Sequence, residues 1–155
     1  MLEVQELLDM LAAQDIFPKD LTISDANAGV PNAKWIEDEF NGFYKDKLEE
    51  MGLGTWDARW DCDDFAYQYY AMMRWAHFMT KKSMAEGIAV GIVFFMSGAR
   101  AEGGGGGDHA INLVVVGKEG EREIRFVEPQ FAAQGMPAWL ELSHAEKASV
   151  WAVHF

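Results

Sequence analysis

The chain has a single cysteine, Cys62, and only four prolines in 155 residues. One thiol excludes an intrachain disulfide and a cysteine-rich zinc site, so any sulfur chemistry must run through Cys62. Cationic side chains are scarce: Lys and Arg number 13 against 25 Asp and Glu, a formal charge of −12. Affinity for nucleic acids and anionic membranes comes from cations that neutralise phosphates, so neither is expected as a partner. Long apolar runs are missing too. The longest, Ile88 to Met96, is about half of the ~20 residues that a membrane helix needs. The N-terminus, Met1-Leu2-Glu3-Val4-Gln5-Glu6, carries acids where a signal peptide has positive charge. A cytoplasmic location is expected. No period of 20–50 residues recurs, which argues against a solenoid.

Core material, by contrast, is ample. Half of the residues are apolar and 13% are aromatic, including 10 Phe and 6 Trp. Disorder requires far lower hydrophobicity. The length suits one domain spanning 1–155, with a helical part over about 1–82 and a sheet part over about 87–155.

Val4, Leu7, Leu8 and Leu11 recur at helical spacing, which predicts an amphipathic helix over 2–14 that Phe17-Pro18 stops. Residues 19–32 are rich in Asp, Asn, Gly and Pro and read as loop. A second helix is expected over about 33–51, with Trp35, Ile36, Phe40, Phe43, Tyr44, Lys47 and Leu48 as its apolar stripe and Met51-Gly52 at its end. A third fits about 62–80. Asp61 is placed to cap it, and Asp63 and Asp64 lie in the first turn, where the helix dipole favours negative charge.

The period then changes. Gly87 to Met96 reads as a buried strand and Ala110 to Val116 as another. Between them lies a loop with five consecutive glycines, Gly103 to Gly107, which reads as a flap beside His109 or as a tolerated floppy insertion. Gly117 to Gly120 turns the chain into a return strand that Pro129 ends. Ser143 and Glu146 predict a capped short helix, and Val150 to Phe155 a closing strand. Helices first and an antiparallel sheet of about four strands afterwards predict an α+β fold, with the Cys62 helix packed centrally on the sheet.

Three segments carry chemistry: Asp61-Cys62-Asp63-Asp64-Phe65-Ala66, Asp108-His109-Ala110-Ile111-Asn112 and Val127-Glu128-Pro129-Gln130. The first sets a thiol at a helix start, where unpaired amides and the dipole favour thiolate. A tight turn near residue 119 brings His109 close to Pro129, so Glu128 or Gln130 is in reach to orient the imidazole. Cysteine, histidine and acid then match an activated nucleophile, its base and the group that holds the base. Gln130 and the Trp60 Nε1 are candidate oxyanion donors; Trp56 and Trp60 read first as core or a hydrophobic staple, and since they flank the cysteine they are also candidates to line an apolar cleft. Against this stands like-charge repulsion from Asp61, Asp63 and Asp64, which a protonated His109 must outweigh. A metal reading would gather Asp61, Asp63, Asp64, His109 and Glu128, but no ligand spacing of a known metal motif supports it; no metal or cofactor is expected.

These three motifs, in this order over about residues 56–130, resemble those of the transglutaminase-like cysteine hydrolase superfamily. The Asp-Cys-Asp-Asp-Phe-Ala segment is similar to the cysteine motif of the bacterial transglutaminase-like cysteine proteinases, and small phage-encoded members look closer still. The resemblance implies a papain-like or transglutaminase-like fold. It also implies Cys62 as nucleophile, His109 as base, Glu128 as third member and a structural role for Asp64. The family's usual third residue is Asp, which leaves Gln130 as a rival to Glu128. The implied activity is thiol-dependent hydrolysis or acyl transfer at a peptide or isopeptide amide, with a protein or peptide substrate. Two alternatives stay open: a catalytically inactive phage or bacterial protein-binding module, and a cell-wall peptidoglycan amidase. Oligomeric state is unknown from sequence.

Overall fold

The computed structural model describes residues 1–80, 85–97 and 107–155. The glycine run and its flap role therefore lie, save for Gly107, outside the described residues. In chain order the elements are β1 (Leu2–Glu3), α1 (Val4–Ala13), β2 (Asp20–Thr22), β3 (Asn27–Gly29), α2 (Ala33–Trp35), a π-helical turn (Ile36–Phe40) and α3 (Asn41–Met51). There follow α4 (Cys62–Thr80), β4 (Gly87–Ile88), β5 (Val90–Met96), β6 (Asp108–Val116), β7 (Glu123–Val127), α5 (Pro129–Ala133), β8 (Trp139–Leu140), α6 (His144–Ala148) and β9 (Ala152–His154).

The strands form two sheets. The larger has six strands in the order β2-β9-β5-β6-β7-β8, antiparallel except where β2 runs parallel to β9. The smaller is β1-β3-β4. Ala89, between β4 and β5, joins the two: its N–H donates to Gly29 O and its carbonyl accepts from Val115 N–H. The expected papain-like or transglutaminase-like arrangement, helices leading into a four-stranded sheet, does not form. Strands are not confined to 87–155, since residues 20–22 and 27–29, read as loop, pair as β2 and β3. Two- and three-residue strands are too short to show an alternation. Their pairing partners, Ala152 to His154 for β2, lie some 130 residues away along the chain. Such a pairing is decided by tertiary packing and leaves no local pattern.

Elements with a strong periodic signal are present. The apolar positions Ile36, Phe40, Tyr44 and Leu48 are all buried. A strict spacing of four runs ahead of 3.6 residues per turn, and the wider π turn at 36–40 takes up part of that drift. Gly52 closes α3 in the left-handed conformation, φ 72°. Helix α1 ends earlier than Phe17, on a left-handed Asp15, φ 59°. Ser143 and Glu146 form a reciprocal capping box on α6.

Alternate residues of the large sheet face two cores. Val93, Phe95, Leu113, Val115 and Phe126 pack with Leu7 and Leu11 of α1. Val90, Val114, Val116 and Val127 pack with Phe40, Tyr44, Phe65, Tyr69 and Met73 of the helical layer. Among the described residues, no helix is long and apolar enough to cross a membrane.

Candidate functional site: a buried imidazole between a thiol and a carboxylate

Cys62 is the first residue of α4, and two buried side chains fix that end of the helix. Tyr44 Oη donates to Phe65 O at 3.0 Å. Asn112 Nδ2, fully buried on β6, donates to Ala66 O at 3.0 Å and Gly91 O at 3.2 Å. Asn112 thus ties the second turn of α4 to β5 and β6. Asp64 Oδ2 accepts from the Asp61 N–H at 3.1 Å, so it holds the chain at the helix entrance. Cys62 itself is half-buried and free.

His109 lies on β6, three residues before Asn112. Its ring packs edge-on against the buried Phe95, centroids 5.7 Å apart. Its Nε2 lies 2.7 Å from Glu128 Oε2, and only 5% and 8% of the two side chains are exposed. The β6–β7 register pairs Asn112 with Val127, which carries the residue after β7 back towards His109. Glu128 is pinned in turn as the N-cap of α5: Oε1 accepts from the Gln130 N–H at 3.3 Å, and Pro129 occupies the first helical position. That helix is absent from the sequence reading, which took Pro129 only as a strand stop.

Burial works to lower the His109 pKa. Hydrogen bonds to Cys62 and Glu128, with the charges of both, outweigh it and hold the imidazole at about 9. At neutral pH the ring is a cation flanked by a sulfur and a carboxylate. The acids at the helix entrance respond differently. Asp61 is pushed up to about 6 by the hydrogen bond it shares with Asp63, by partial burial and by the Asp63 charge. One proton between two carboxyls lightens the negative charge beside the thiol below that pH.

The structure brings Cys62, His109 and Glu128 together and sets the other sequence candidates around them in different ways. The Gln130 backbone joins the cluster through Glu128, and the residue is buried. Trp60 packs edge-on against Phe65 at 5.8 Å. Its Nε1 is buried with no hydrogen-bond partner among the described residues. Trp56 is exposed. The five-residue metal set is not gathered: among the described residues, only Asp61, Cys62 and Asp63 bring ligand-type atoms within 4.8 Å of one another. Sequence reasoning missed the aromatic cluster Tyr67, Phe94, Trp151 and His154, whose members come from three elements and share no motif.

No family model matches the chain, and no curated protein matches it. Solved structures do. The PSL1a–E64 complex aligns at a TM-score of 0.60 and 19% identity, covering 97% of this chain and 48% of that one. The Polyporus squamosus lectin bound to the human-type influenza-binding epitope Neu5Acα2-6Galβ1-4GlcNAc aligns at 0.57 and 20%, covering 96% and 46%. The chain thus spans about half the length of these structures, and at this identity the likeness is one of fold. Both neighbours are lectins, and this overturns the expected papain-like or transglutaminase-like fold. It also overturns the expected thiol protease or other thiol-dependent hydrolase or acyl transferase of amides. The inactive module of that fold and the peptidoglycan amidase fall with it.

Proposed function

We propose that the domain presents a nucleophilic thiol, Cys62, for covalent capture of an electrophilic ligand. His109, an imidazolium at neutral pH, is the cation that pairs with the thiolate, and Glu128 is the group that holds that imidazolium. One observation carries this reading: a buried histidine bonded to Glu128 at 2.7 Å, whose affinity for a proton the domain's single thiol also raises. A buried cation needs an anionic partner. Here it has a carboxylate on one side and a sulfur that can become anionic on the other. In the capture step the thiolate attacks an electrophilic carbon, a C–S bond forms, and the leaving group departs with the bonding pair.

The test is alkylation by iodoacetamide, followed by intact mass. At pH 7 the wild-type thiol is expected to react about ten-fold faster than free cysteine, of which only a few per cent is thiolate at that pH. His109→Ala is expected to remove the advantage. Equal rates for free cysteine, wild type and variant would sink the reading. E64, the molecule held in the PSL1a complex, is a second probe: a mass increase confined to protein with an intact Cys62 supports capture.

Carbohydrate binding is the second reading, favoured by the fold shared with the lectin bound to Neu5Acα2-6Galβ1-4GlcNAc. Titration calorimetry with that trisaccharide tests it. Heat that saturates below millimolar concentration supports sugar binding by this chain, and its absence removes it for this glycan.

A further inference from the structure

Beside the thiol lies a patch that neither the capture chemistry nor the cores account for. Cys62 and Phe94 pack against the same small cluster, Ala66, Ile92 and Ala110. Phe94 on β5 pairs with Ala110, the residue that follows His109. Around the half-buried Phe94 ring stand Tyr67 from α4 at 6.3 Å, Trp151 at 5.3 Å and His154 of β9 at 5.3 Å, all tilted to it. The Trp151 backbone N–H donates to Phe94 O at 3.0 Å, which ties the chain that carries the indole to the strand that carries the ring. Tyr67 and Trp151 are 47% and 41% exposed, and Met96 at the end of β5 is 48% exposed.

Large aromatic side chains left open to water together mark a binding surface more often than a core defect. This one is contiguous with the thiol through Ala66 and Ala110. Its one imidazole, His154, faces Asp20 at 3.8 Å, so the shelf brings no unpaired cation to the ligand. We infer that Tyr67, Phe94 and Trp151 form the subsite for an uncharged aromatic group attached to the electrophile that Cys62 captures. The inference rests on the thiol reading above and names the ligand class for that site.

The test uses two electrophiles that share one reacting carbon, iodoacetamide and N-benzyl iodoacetamide. In both, thiolate attack forms the C–S bond and expels iodide. Each rate constant is divided by that for glutathione, which removes intrinsic reactivity. The expected result is a normalised preference for the benzyl compound of about ten-fold, the effect of docking one aromatic ring. Trp151→Ala and, independently, Tyr67→Ala are expected to bring the preference down towards one. Phe78→Ala, an exposed aromatic lining a separate pocket with Arg74 and His77, is expected to keep it. Fast iodoacetamide labelling with no benzyl preference overturns the shelf and leaves the thiol reading standing. Iodoacetamide labelling no faster than that of glutathione overturns both.

Discussion

Replacing Glu128 with glutamine removes a charge while keeping the shape of the site. The amide oxygen can still accept from the Gln130 N–H and so preserve the α5 cap, which isolates the electrostatic effect on His109. In the wild type the imidazole is raised from 6.5 to about 9. At about 1.4 kcal/mol per pKa unit, that corresponds to about 3 kcal/mol of preference of the folded state for the protonated ring. Burial opposes the rise, so the partners together supply more than this net amount. Loss of the carboxylate leaves Cys62 alone against burial, and the His109 pKa is expected to fall from its wild-type value. The direction in pH follows. A proton held more tightly in the folded state stabilises fully below the unfolded pKa, and that contribution is lost as pH rises through the folded value. Wild type should therefore exceed Glu128→Gln by up to about 3 kcal/mol at pH 6, and the gap should narrow as pH climbs past 9. Urea denaturation at pH 6 and pH 10 measures the gap, and NMR titration of the His109 ring measures its pKa directly. A gap equal at both pH values, or a wild-type His109 that titrates near 6.5, refutes the reasoning.

Three further outcomes are expected. Asn112→Ala removes two buried hydrogen bonds that dock α4 on the sheet. It should cost about 2–4 kcal/mol in chemical denaturation, and iodoacetamide labelling should slow as Cys62 and His109 lose register. Gly91→Ala would set a Cβ 2.9 Å from both His154 O and Phe155 Cδ2, so β9 must shift. A loss of about 1–3 kcal/mol by the same assay is expected, and an unchanged midpoint would contradict the β5–β9 contact. Asp63→Asn removes the shared proton that raises Asp61. The Asp61 pKa should then fall below 6, still raised by partial burial and the Asp64 charge, and a step near pH 6 in the wild-type pH profile of Cys62 alkylation should move to lower pH.

Chain-local information determined much of this protein. The helix over 62–80 and the long apolar stretch ending at Met96 follow from residue period alone, because an amphipathic face or a buried strand writes itself into consecutive residues. The Ser143–Glu146 box was legible for the same reason, since both partners lie within one turn. So was the approach of His109 to Glu128, because a tight hairpin turns sequence separation into spatial pairing. What tertiary structure decided involves partners far apart. Strands β2 and β3 form only because β9 and β4 offer them edges, and two or three residues carry too little pattern to announce a strand. The six-stranded sheet therefore could not be counted from the sequence, and neither could the likeness of the fold to half of a lectin chain. The charge state of His109 belongs to the same class. It depends on burial set against Cys62, 47 residues earlier, and Glu128, 19 residues later. Three motifs bring these residues within reach of one another, but only packing on Phe95 and the Asn112 tie to α4 remove them from water.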